Sequence, residues 1–67
     1  MNKTPLNPLE AYADAGRKAA QARNQHDESR ALFFTSWLRS ALRLESEQWR
    51  KMAQQAFYEA YKTERGF

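Results

Sequence analysis

The chain contains no valine and no isoleucine, and its only β-branched residues are Thr4, Thr35 and Thr63. Sheets are built from side chains that pack well on a pleated surface, chiefly β-branched and aromatic ones. Here the aromatic half of that set is present and the aliphatic half is missing. Eleven alanines and six leucines stand in its place, and Ala, Leu, Arg, Glu and Gln all favour helix. The expected class is all-α, built as a helical hairpin or three-helix bundle.

At 67 residues the chain has room for a single domain, expected to span 1–67 with a flexible arm at 1–6. Folding at this size hides only about 60% of the surface that the unfolded chain exposes. Chains so short usually need a disulfide, a metal or a partner to gain more than ~3–5 kcal/mol from one core. Cysteine is absent, which excludes disulfides and thiolate metal sites. Self-association or binding to another protein is the expected route. A homodimer is the expected completion of the fold.

Eleven basic residues against eight acidic ones give a net charge of +3, and seven of the basic residues are Arg. That excess permits acidic protein or nucleic-acid partners without demanding either. No run of about 18 apolar residues exists to span a membrane. Residues Met1 to Pro5 lack the apolar stretch of a signal peptide, so the expected compartment is the cytoplasm. An Ala- and Arg-rich short chain suits a prokaryotic, phage or plasmid source.

Both prolines, Pro5 and Pro8, lie near the start. Asn7-Pro8-Leu9-Glu10 reads as a helix start, with Asn7 as cap, Pro8 in the first turn and Glu10 where a capping box places it. No further Gly or Pro follows Gly16 until Gly66. Gly66 suits a left-handed helix end, with Lys62 and Arg65 in the last turn and Phe67 folding back onto Tyr61. The polar run from Asn24 to Arg30 interrupts any apolar stripe, so a turn is expected there, with Asp27 or Asn24 as the next cap.

Before that turn, Leu9, Tyr12, Ala13, Gly16, Ala19 and Ala20 share one face. It is mostly small, which lets another helix approach closely. After the turn, Phe34, Trp37, Leu38, Ala41 and Leu42 form one stripe. Trp49, Met52, Ala53, Ala56, Phe57 and Ala60 form a second, rotated from the first by roughly 100°. Glu45 and Gln48 fall where a continuous stripe needs apolar residues. A break near 45–47, with Ser46 as a weak cap, gives three helices at roughly 8–24, 28–44 and 47–64. A single helix over 28–62, ~50 Å long, is the close alternative and would need a second copy to cover it.

Catalysis has little to work with. His26 is the sole imidazole and falls in the expected turn, where a solvated or capping role is the simpler one. Glu45 and Glu47 are two residues apart and point to different sides of a helix. No helical Glu-x-x-His pair offers a metal site. The chain is read as a non-enzyme with no cofactor and no metal.

The aromatics carry the strongest signal. Phe33, Phe34, Trp37, Trp49, Phe57, Tyr58 and Tyr61 cannot all face one inner seam, because neighbours such as Phe33 and Phe34 lie 100° apart. Tyr, Trp and Arg are the usual anchors of protein interfaces. The expected interaction residues are Phe33, Phe34, Trp37 and Tyr58, with polar contacts from Arg39 and Arg43. The second candidate is a phosphate-contacting face of Arg39, Arg43, Arg50 and Lys51, with Arg17 and Lys18 as a further basic cluster. Against it, Arg43–Glu47, Glu47–Lys51, Asp14–Lys18 and Asp27–Arg30 have the spacing of ordinary ion pairs.

Trp37, Ala41, Leu44, Ala53, Phe57 and Ala60 resemble the large/small pattern of one tetratricopeptide unit, a pair of antiparallel helices. The pattern covers about half the chain. It departs at Ser40, where that family has a large apolar residue, and at Arg65, where Pro is usual. No copy precedes it at the family's period of about 34 residues. The pattern is that of an Ala-rich helical hairpin, and the chain is assigned to no family. The reading is a small accessory or regulatory protein acting by protein binding, as a homo-oligomer. A small basic nucleic-acid-binding regulator is the alternative.

Overall fold

The computed structural model describes residues 8–66. The expected Asn7 cap, the arm at 1–6 and the packing of Phe67 lie outside them. Three helices follow one another, α1 (Pro8–Asn24), α2 (Glu28–Arg43) and α3 (Glu47–Arg65). There is no strand among the described residues. The chain beyond residue 28 is therefore two helices, not one.

Each boundary has a local cause. α1 closes with the paired bonds of a Schellman turn, Asp27 N–H to the Ala22 carbonyl at 2.7 Å and His26 N–H to the Arg23 carbonyl at 3.0 Å. His26 takes the left-handed position at φ 60°. Asp27 then caps α2, its carboxylate accepting from the Arg30 N–H at 3.1 Å. Between α2 and α3, Ser46 Oγ accepts from the Trp49 N–H at 3.3 Å and caps α3. Gly66 ends α3 at φ 90°, its N–H reaching the Lys62 and Thr63 carbonyls.

α1 is the central element and packs on both other helices, while α2 and α3 touch each other little. Its alanines explain this. Ala15, Ala19, Ala20 and Ala22 are buried with Gly16 and Tyr12, so helices approach α1 from two sides. Phe57 of α3 is fully buried, and Leu38 of α2 nearly so. Together with Tyr12, Ala15, Ala19 and Ala53 they make the core, and Leu9, Phe34, Ala41, Leu42, Ala56 and Tyr61 pack around it. Trp49 and Met52, expected in the second stripe, remain exposed at the start of α3. Both stand in the first two turns of α3, ahead of the Ala53 and Phe57 that enter the core.

Polar contacts fasten the ends. Tyr12 Oη donates to Glu45 Oε2 at 3.1 Å, tying α1 to the α2–α3 connection. At the far end Asn24 Nδ2 donates to the Glu64 carbonyl and Arg65 donates to Asn24 Oδ1, both at 3.2 Å. Of the four expected ion pairs only Asp14–Lys18 forms, at 3.0 Å. Arg43 and Glu47 stand on different helices, the Asp27 carboxylate takes the Arg30 backbone instead of its guanidinium, and Glu47 and Lys51 make no ion pair among the described residues. The pairs that do form beside it are Arg17–Asp14 and Arg23–Glu28, both at 3.5 Å.

Candidate functional site

α2 leans on α1 through Ala31, Phe34 and Leu38, which leaves the opposite face outward. Phe33, one residue and 100° from the inward Phe34, is 63% exposed, and Leu44 is 87% exposed. Trp37 lies between them at 36% exposure, its ring 5.3 Å from that of Tyr12 and tilted by 46°. Phe33, Trp37, Ser40 and Leu44 are spaced four, three and four apart, one continuous stripe along the helix. Ser29 and Ser36 run beside it. Scattered exposed apolar residues are ordinary, but a contiguous run of large ones marks a surface built to be covered.

Three of the four expected aromatic interaction residues are thus brought together. Phe33, Phe34 and Trp37 line one groove with Ala11 and Ala15 of α1, about 250 Å³ in volume, with Asp14 and Lys18 at its rim. Lys18 donates to the Asp14 carboxylate and holds its pKa below the usual carboxylate value. Phe34 is the half-buried floor of this groove and also packs on the core. Tyr58 stands apart on α3, its ring against Phe57 at 5.1 Å and Tyr61 at 6.4 Å. It lines a different groove with Lys51, Gln54 and Lys62.

The basic residues divide in the same way. Arg39, Arg43 and Arg50 line a shallow groove with Leu42, about 300 Å³ in volume, although they no longer share one helix. Arg50 is turned onto the end of α2. Its Nε donates to the Leu42 carbonyl at 3.1 Å and a terminal nitrogen to the Glu45 carbonyl at 3.2 Å. Arg39 and Arg43 carry no ion pair among the described residues and sit in the last turns of α2, where positive charge complements the helix dipole. Lys51 belongs to the α3 grooves and does not join them.

Leu32 and Leu44 are exposed on α2, and sequence reasoning did not single them out for binding. The signal for Leu44 was available, since it lies seven residues beyond Trp37 on the same face. A further groove runs between α1 and α3. Leu9, Ala13, Ala56 and Ala60 line it, its volume is about 460 Å³, and Glu10, Glu59 and Glu64 are at its edges. Among the described residues no three His, Cys, Asp or Glu side chains converge to hold a metal ion. No helix there is long and apolar enough to cross a membrane. His26 is an exposed turn residue. Comparison with known protein families, curated proteins and solved structures finds no match.

Proposed function

We propose that this is a small non-enzymatic accessory or regulatory protein that acts by binding protein, and that the outer face of α2 is its binding surface. The observation that carries this reading is the exposed stripe of Phe33, Trp37 and Leu44 on a helix that otherwise contributes only Ala31 and Leu38 to the buried core. Arg39 and Arg43 supply polar contacts at its edge. Self-association belongs to this reading, because a core made largely of alanine leaves little apolar burial to stabilise one copy alone.

The test uses Phe33→Glu, which places a charge on the stripe without touching the buried core. Wild type and variant are immobilised in parallel, and their self-association is followed by light scattering. The reading expects association or specific retention of a protein by wild type that the variant loses. Equal behaviour of the two chains overturns it.

A second reading, a nucleic-acid-binding regulator, is favoured by the grouping of Arg39, Arg43 and Arg50 around one groove. Phosphate contacts predict affinity that falls with salt, with a log-log slope of about −0.9 per contact on duplex DNA. Gel-shift titration with random duplex at about 50 mM salt decides it. Absence of binding there removes this reading.

A further inference from the structure

We infer that the occupant of the α2 face is a second copy of the same chain, packed antiparallel about a two-fold axis that passes between Ser36 and Trp37. The inference rests on the reading of this face as a binding surface and names what covers it.

The argument is one of register. The stripe alternates bulky and small residues. With the axis between Ser36 and Trp37, each residue faces the one equally far on the other side of that centre. Phe33 then faces Ser40 of the partner subunit, Trp37 faces Ser36 of the partner subunit, and Leu44 faces Ser29 of the partner subunit. Every large side chain of the stripe lies level with a serine of the partner subunit, and no two large ones compete for the same level. Displacing one helix by a full turn puts Phe33 level with Leu44 of the partner subunit and loses this match. A two-fold contact uses the same patch on both copies, so a self-complementary pattern is the one it needs.

Rotation about the helix axis adds a second fit. At 100° per residue, the large residues occupy one edge of the stripe and the serines the other. The two-fold axis sets like edges together, so the large side chains of the two copies interleave along one seam beside the groove between α1 and α2. That groove, lined by Ala11, Ala15, Phe33 and Trp37, receives rings from the other copy. The serine edges let the two backbones approach.

Area sets the expected strength. At the exposures given above, Phe33, Trp37 and Leu44 offer roughly 300 Å² of apolar side chain per copy. The serines and aliphatic stems beside them bring two copies to about 1,000 Å² in all, the lower bound for a specific interface. An interface this small belongs among weak, transient contacts. Its apolar seam makes it insensitive to salt, unlike phosphate binding.

Two measurements on the full chain test this. In the first, light scattering through the micromolar range follows wild type and Leu44→Glu, with circular dichroism to show that both are folded. The expected result is a concentration-dependent dimer weakened at least tenfold by Leu44→Glu and unchanged by salt. Monomer at all concentrations overturns the second copy as occupant. The protein-binding reading survives that outcome if immobilised wild type still retains a protein that Phe33→Glu does not. In the second, Phe33→Cys and Ser40→Cys are combined in a chain that has no other cysteine. Oxidation is expected to give a covalent dimer through both pairs, while Ser29→Cys alone gives none, since its two copies lie far apart at opposite ends of the seam. Cross-linking by Ser29→Cys without cross-linking by the double variant overturns the antiparallel register.

Discussion

Gly16 of α1 lies directly against the backbone of Phe57 in α3. A Cβ added at Gly16 would overlap the Phe57 carbonyl oxygen and come within 2.9 Å of its carbonyl carbon and 3.2 Å of its Cα. The obstacle is main chain, which no side-chain rotation relieves. This contact sets the spacing of the two most extensively packed helices, and it places the Phe57 ring in the centre of the core. Gly16→Ala gains roughly 1 kcal/mol of helix propensity. It also forces α1 and α3 apart across their tightest contact, a strain of the kind that costs ~1–3 kcal/mol or more in packed cores. The expected outcome is a net loss, read as a lower urea midpoint with an unchanged slope. A midpoint equal to or above wild type would show that the helices separate without cost.

His26 offers the opposite sign. Its φ of 60° closes the Schellman turn after α1, a position that glycine fills without strain. A left-handed conformation costs an L-residue roughly 1–2 kcal/mol. Glycine removes that cost but adds freedom to the unfolded chain. His26→Gly is expected to stabilise by about 0.5–1 kcal/mol, raising Tm by several degrees in a domain this small. His26→Val, β-branched at the same backbone angle, should lower it. Equal melting of all three chains would remove the argument.

The helices were legible because their boundaries are written in capping chemistry. Asp27, Ser46 and Gly66 each do in the structure what their residue types do locally, and the polar run around His26 could not carry an apolar stripe. The close approach at Gly16 was legible too, since the face of α1 that holds it is mostly alanine and glycine. Partition of the aromatics was not. Phe33 and Phe34 are equally apolar, and which one faces α1 depends on how α2 is rotated about its axis. Trp49 and Met52 shared a stripe with Phe57, but the direction in which the chain leaves α2 is set by the 44–46 turn. The role of Arg50 was hidden for a related reason, because the Leu42 and Glu45 carbonyls come within its reach only through the turn that joins α2 to α3.

Tyr12 gives the protein an alkaline limit. Burial, then the bond to Glu45 and its charge, raise the phenol above the ordinary tyrosine value of 10.0. The folded chain thus holds this proton more tightly than the unfolded one. The resulting stability is complete below about pH 10 and is lost as pH rises through the higher folded value. Wild type is expected to lose stability on titration above pH 10, and Tyr12→Phe to follow a flatter curve there. At neutral pH the variant should be less stable by about 1 kcal/mol, the usual net value of one hydrogen bond. Parallel curves for the two chains between pH 9 and 11 would show that the phenol does not govern this range.

Arg50 separates a structural charge from a binding one. Its guanidinium reaches the Leu42 and Glu45 carbonyls together, adding a second donor to a Leu42 oxygen that already accepts from the Glu45 N–H and tying the start of α3 to the turn after α2. A lysine keeps the charge but has one compact ammonium in place of the planar fork, so it does not span both carbonyls. Arg50→Lys is expected to cost about 1 kcal/mol in chemical denaturation and to fray the end of α2, seen as faster amide exchange near Leu44. Arg39→Gln and Arg43→Gln remove exposed charges with no ion pair among the described residues and should change stability by less than about 0.5 kcal/mol. For phosphate binding the order reverses, since it depends on charge in the groove. There Arg39→Gln and Arg43→Gln each reduce the salt slope by about 0.9, and Arg50→Lys leaves it nearly unchanged. If Arg50→Lys proves as stable as wild type, the two carbonyl contacts contribute nothing to holding the α2 end in place.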